Sequence, residues 1–154
     1  MRAERVDLEP RTMMGVHEVV PMTSMSAMTE FYGRAFTTTA AELGKQGMQP
    51  AGPAIAVYHG QPTDMADVTA GFTVDRPVTS TPAASVLALP GGPAIQTIHT
   101  GSYDDLAATY GELMAWVEEQ KLEMGRDIWE EYLTGPESDS DPSTWQTRIV
   151  WPLA

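Results

Sequence analysis

The sequence predicts one α+β domain, an antiparallel sheet carrying two helices on one face, and three observations predict it. Apolar residues recur at helical spacing in two long stretches. The segments between them are short, apolar or alternating, and bounded by Gly, Pro and Asp. The order of elements in the first half then recurs in the second. A chain of 154 residues is the usual size of a single domain, residues 1–154, with internal halves at about 1–78 and 79–154.

The chain opens with extended segments around Arg5–Leu8 and Met14–Val20, where Met14, Val16 and Val20 alternate and the polar Glu18 interrupts them. Pro21 ends that run. A helix follows from about Thr23 to Leu43, with Met25, Met28, Tyr32, Ala35 and Leu43 near one face and Gly44 as its stop. Two strands, Ala54–His59 and Thr69–Asp75, flank the turn-rich Gly60-Gln61-Pro62. The second half has strands at Ala84–Leu89 and Ala94–Thr100 around Pro90-Gly91-Gly92-Pro93. Ser102 is placed to cap a helix through about Lys121, with Asp104 and Asp105 at the positive end of its dipole. Its apolar stripe is Leu106, Tyr110, Leu113 and Val117. Strand Ile128–Leu133, an acidic loop over Gly135–Thr144 and strand Trp145–Trp151 complete the chain.

Each half thus reads strand, helix, strand, strand. Both helices carry a Tyr-Gly pair midway, Tyr32-Gly33 and Tyr110-Gly111. Glycine inside a helix costs about 1 kcal/mol relative to alanine, so its repetition points to close packing against another element. With both helices on one sheet face, the other face is either solvated or a concave ligand cleft.

Composition narrows the function. The net charge is −12, with nine basic residues against 21 acids. From Tyr103 onward twelve Asp and Glu face only Lys121, Arg126 and Arg148. Nucleic-acid binding relies on Lys and Arg displacing counterions from phosphate, so this chain is not expected to bind DNA directly. A negative field instead concentrates cations, although acidity also simply maintains solubility. No stretch is apolar enough to cross a bilayer, the N-terminus lacks a secretory signal, and there is no cysteine. The expectation is a cytoplasmic protein without membrane association; a homodimer is compatible with the sequence.

The most informative segment is Ile128-Trp129-Glu130-Glu131-Tyr132-Leu133. Strand alternation puts Ile128, Glu130 and Tyr132 on one face and Trp129, Glu131 and Leu133 on the other. The bulkier second set is assigned to the helices and the first to the opposite, ligand-bearing face. A carboxylate walled by aromatic rings is costly to keep ionised without a partner, and a lipophilic cation supplies both charge and a flat surface. The same pattern fits a solvated glutamate on an exposed strand. Tyr103, after the Gly101 turn, and Tyr58, on the comparable strand of the first half, are further ligand-binding candidates. Both also fit an amphipathic cover for the core, and Trp116 and Trp145 fit core packing. His17, His59 and His99 lie on separate elements without metal-ligand spacing, so no metal or cofactor is expected. The alternating acids Glu137, Asp139 and Asp141 lack the glycine and closing glutamate of a calcium loop.

The run Leu89-Pro90-Gly91-Gly92-Pro93-Ala94, then His99-Thr100-Gly101-Ser102-Tyr103, then Trp129-Glu130-Glu131-Tyr132-Leu133, and finally Thr147-Arg148-Ile149-Val150-Trp151-Pro152-Leu153 resembles the GyrI-like small-molecule-binding domain. That domain is also the effector-binding half of multidrug-responsive bacterial transcription regulators. The resemblance implies two β-α-β-β units in pseudo-twofold arrangement with a ligand cleft between them. It places the family's acidic residue at Glu130, its partner tyrosine at Tyr132 and another tyrosine at Tyr103, with Glu131 as the reserve acid. The regulators carry a helix-turn-helix region ahead of the domain, whereas here a strand begins within a few residues of Met1, which implies a free-standing ligand-sequestering or effector-sensing protein. Some free-standing relatives resemble hydrolases that open cyclopropane rings of genotoxic natural products; Glu130 and Tyr103 are then the catalytic pair. A third expectation is an interaction protein that inhibits a larger, basic enzyme through its acidic surface.

Overall fold

The computed structural model describes residues 2–60, 63–134 and 140–154. Its elements run β1 Ala3–Leu8, β2 Arg11–Pro21, α1 Met25–Lys45, β3 Ala54–His59, β4 Met65–Val74, β5 Ser85–Leu89, β6 Gly92–Thr100, α2 Leu106–Glu119, β7 Asp127–Thr134 and β8 Gln146–Pro152. The strands form one antiparallel sheet in the order β1-β6-β8-β7-β3-β4-β2-β5. This is the α+β fold that the sequence predicts. β7 and β3, one from each half, are its two central strands.

The connections dictate the sheet's shape. β1 and β2 are joined by only Glu9 and Pro10, and β5 and β6 by only Pro90 and Gly91, yet each pair stands at opposite ends of the sheet order. Two residues span about 10 Å at most. The sheet therefore coils until its β1–β6 and β2–β5 margins meet. The two links touch where they cross: a Cβ on Gly91 would lie 2.7 Å from Cδ of Pro10. Inside the coil, Met13, Ile55, Val57, Leu89, Ala94, Trp129 and Val150 form an apolar cluster, with Val6, Leu8 and Leu87 packed against it. The face opposite the helices is concave and largely filled by its own strands.

Both helices lie on the convex face. Phe31 and Ala35 of α1 and Leu113 and Val117 of α2 join Val20, Ala56, Val68, Ala70, Ile95, Ile128 and Ile149 of the sheet in the main core. The α1 stripe predicted from sequence omitted Phe31, whose side chain is buried, and included Tyr32, which is only partly buried. Ser24 caps α1 by accepting from the Ala27 amide at 3.2 Å. The helix stops at Gly47, whose φ of 70° only glycine adopts freely, and not at Gly44. Ser102 does not cap α2. It precedes a single 3-10 turn at Tyr103–Asp105, and its hydroxyl makes no capping bond. The acids Glu137 and Asp139 lie outside the described residues; Asp141 accepts from the amide and hydroxyl of Ser143. No described helix is long and apolar enough to cross a membrane.

The repeated helical glycines do not mark close packing. A Cβ at Gly33 or Gly111 would meet nothing within 4 Å. Close approach occurs instead where β2 and β4 pair Gly15 with Gly71: a Cβ on Gly71 would lie 2.0 Å from the Met14 carbonyl oxygen. Gly71→Ala is therefore expected to destabilise the fold by about 1–3 kcal/mol through overpacking, whereas Gly33→Ala stabilises it by roughly 0.5–1 kcal/mol. Urea unfolding midpoints of the two variants check both signs.

Candidate functional site

The site is built on β7. Its alternation is as the sequence predicts, but the assignment of faces is reversed. Ile128, Glu130 and Tyr132 point to the helices, and Trp129 points into the concave cluster. The bulk of Trp129 suits the narrow interior of the coil, while the helix face above the central strands is occupied by aromatic rings. The expected placement of these residues on the face away from the helices is thus corrected.

Glu130 sits between Ala56 of β3 and Ile149 of β8, and Ala56 in turn pairs with Ala70 of β4. The short alanines leave height above the sheet centre, and tyrosines from both helices fill it. Tyr110 of α2 donates its hydroxyl hydrogen bond to Oε2 of Glu130. Tyr132 donates to Oε1 at 2.8 Å. Tyr32 of α1 shares a hydrogen bond with the hydroxyl of Tyr58 on β3. Rings of Tyr32, Phe36 and Tyr103 stand edge-on around Tyr132 at 6.4, 6.3 and 5.8 Å between centroids.

Glu130 is 4% exposed and takes part in no ion pair among the described residues. Burial pushes its pKa up from the ordinary 4.5, against the two phenol hydrogen bonds and the charge of His99, which favour the ionised form. Burial and the nearby Glu130 charge together hold Tyr58, Tyr110 and Tyr132 well above the usual phenol range, so these hydroxyls remain protonated donors. His99 is itself buried and fixed by Thr109 Oγ1 at 2.6 Å and the Ser102 carbonyl at 2.9 Å. The neighbouring Glu131 shows the contrasting solution. It points to the opposite face, where Arg11 approaches at 3.2 Å and Arg148 at 3.5 Å.

Of the residues expected at the site, Glu130, Tyr132, Tyr58 and Tyr103 belong to one connected group of hydrogen bonds and ring contacts. Tyr103 is 38% exposed at its rim, where its ring lies 5.0 Å from that of Trp145. Gly101, with φ of 133° and its amide bonded to the Trp145 carbonyl at 2.8 Å, makes the turn that brings those rings together. Ile128 lies at one side, lining a hollow of about 290 Å³ with Tyr110, Met114, Arg126 and Trp151. Tyr32, Phe36, Tyr110 and Trp145 were not singled out as site residues from sequence. The repeated Tyr-Gly pair was the available signal, and its tyrosine, not its glycine, carries the meaning.

A family model of the GyrI-like small molecule binding domain matches residues 1–154. The chain belongs to that family. Solved structures share this GyrI-like fold. EcmrR in a DNA complex matches at TM-score 0.82 and 21% identity over 99% of this chain, which spans 57% of that one. SAV2435 bound to tetraphenylphosphonium matches at TM-score 0.73 and 12% identity, over 100% of this chain and 94% of that one. A hydrolase encoded by lin2189 from Listeria innocua matches at TM-score 0.63 and 16% identity, over 99% and 92%. No curated protein matches by sequence.

A carboxylate whose folded pKa lies above its unfolded value stabilises the fold fully below the unfolded value. That contribution is lost as pH rises through the folded one. For this GyrI-like domain, the wild-type protein should therefore lose stability relative to Glu130→Gln as pH rises from about 4.5 through the raised pKa. Denaturant melts of both proteins across that range measure the difference; a parallel pair of curves contradicts it.

Proposed function

We propose that the protein binds an amphipathic organic cation against the Glu130 carboxylate, among the rings of Tyr32, Phe36, Tyr58, Tyr103, Tyr110 and Tyr132. One observation carries this reading: an acid buried over the sheet centre, bonded to neutral phenol donors, with His99 acting on it only at a distance and no ion pair among the described residues. Desolvation has already been imposed on that carboxylate by folding. An arriving cation supplies the missing charge, and aromatic faces add about 0.5–2 kcal/mol of cation–π attraction. Family membership agrees with small-molecule binding, and the ligand of SAV2435, tetraphenylphosphonium, is a lipophilic cation.

Tyr110 takes a second part in this reading. It lines the 290 Å³ hollow beside Ile128 and also donates to Glu130, so a ligand entering from that side reaches the carboxylate by displacing one phenol. The replaced hydrogen bond is exchanged for a full charge.

A hydrolase using the same residues is the second reading, favoured by the buried Glu130 carboxylate, whose raised pKa makes it a stronger base than an exposed glutamate. In it Glu130 acts as general base and Tyr103 orients the leaving group or water. It requires product to accumulate with time, which mass spectrometry of recovered ligand detects.

Titration with tetraphenylphosphonium and with neutral triphenylphosphine oxide, read by intrinsic fluorescence, tests the binding proposal. Glu130→Gln is expected to weaken the cation at least tenfold, about 1.4 kcal/mol, and the neutral compound by less than about twofold. Equal losses for both compounds contradict the assigned role of the carboxylate.

A further inference from the structure

The concave face carries a second group of side chains beside its apolar cluster, with Leu87 bordering both. His17 on β2, Asp67 and Thr69 on β4, His59 on β3 and Asp127 on β7 lie side by side across four neighbouring strands. They line a hollow of about 410 Å³ together with Ser85, Val86, Leu87 and Arg126. His17 Nε2 contacts Asp67 Oδ1. The two imidazole rings stand 5.5 Å apart, edge to face. One donor atom from each of His17, His59 and Asp67 lies within 4.8 Å of the others.

We propose that His17, His59 and Asp67 bind a divalent transition-metal cation of the zinc class, with one coordination position left open to this hollow. Metal–nitrogen and metal–oxygen bonds of about 2.0–2.2 Å set tetrahedral donors roughly 3.3 Å apart, so the three side chains need to close by at most about 1.5 Å. His17 and Asp67 are half-exposed at the strand surface and free to make that adjustment. Two imidazoles and one carboxylate select zinc, cobalt, nickel or copper over magnesium and calcium, which take oxygen donors.

The outer contacts fit the same assignment. Asp127 Oδ2 lies 3.4 Å from His59 Nδ1, the arrangement in which a carboxylate accepts the proton of the non-ligating nitrogen and turns the other toward a metal. That other nitrogen, Nε2, lies 2.8 Å from the Thr69 hydroxyl, which must rotate aside for a metal to take the nitrogen's lone pair. Arg126 is the opposing charge: its guanidinium lines the hollow and donates to the His59 carbonyl at 3.4 Å. Asp67 and Asp127 outnumber it, and the chain carries −12 overall. With a cation bound, Arg126 and the open position together favour an anionic group in the hollow. The histidines are far apart in sequence, which is why their spacing gave no sign of this; the β2–β4–β3 pairing brings two of them together.

Calorimetric titration of the untagged, chelator-treated protein with zinc chloride tests the assignment, with cobalt chloride giving an independent absorption spectrum. One equivalent should bind. His17→Ala and His59→Ala should each weaken zinc at least tenfold, Asp127→Asn should weaken it by about 10–100-fold, and Asp7→Asn, which removes an exposed acid from β1, should leave it unchanged. No saturable zinc binding, magnesium binding of equal strength, or an unchanged affinity in both histidine variants overturns the proposal. Because the wild-type cobalt spectrum reports the ligand set directly, a histidine variant that fails to fold does not remove the test: a spectrum typical of six oxygen donors also overturns it.

Discussion

A carboxylate held above the middle of an antiparallel sheet constrains everything packed around it. Glu130 has exchanged water for two phenol hydrogen bonds, and each phenol belongs to a different element, Tyr132 to its own strand and Tyr110 to α2. Neutral donors satisfy oxygen lone pairs but bring no opposite charge into contact, and burial raises the cost of the charge. The adjoining residue on the same strand solves the problem in the usual way, with Arg11 and Arg148 beside Glu131. Two consecutive glutamates, both nearly inaccessible, therefore differ in one respect: only Glu131 forms ion pairs among the described residues, while Glu130 has His99 acting on it only at a distance.

The fold provides the room for this arrangement. Two-residue links between strands at opposite ends of the sheet order force it to coil, and the concave side fills with Trp129, Met13 and their neighbours. On the convex side, Ala56 and Ala70 keep the central strands low, so α1 and α2 stand off far enough to lower tyrosine rings between them and the sheet. Gly71 against Gly15 lets β2 and β4 approach at the margin of the same region. The aromatic group is thus supported from both helices and from three strands, while its rim at Tyr103 and Trp145 reaches solvent.

Much of this was legible in the sequence. Periodicity located both helices and the strands; the strand-helix-strand-strand order read in each half differs from the structure, in which two strands, β1-β2 and β5-β6, precede each helix. The acid and tyrosine of β7 were found because alternation is a local property of a strand. Which face they take was not legible, because it depends on sheet coiling, and coiling follows from the strand order. That order arises from pairings such as β1 with β6 that no local pattern encodes. Tyr32 and Tyr110 read as ordinary members of apolar stripes because a phenol on a helix can end at the surface or over a buried acid with the same spacing. His17 and His59 were separated for a similar reason: adjacency across β2, β4 and β3 is a property of topology alone.

The central claim is that Glu130 carries a charge awaiting a partner from outside the chain. Carbon-13 NMR of protein labelled at the glutamate side-chain carboxyls, with Glu130→Gln to assign the resonance, follows that single group through a pH titration. The account predicts a midpoint above the ordinary 4.5 in the free protein, moving downward when tetraphenylphosphonium saturates it. A midpoint at the ordinary value, or one that the cation leaves unmoved on binding, would contradict it.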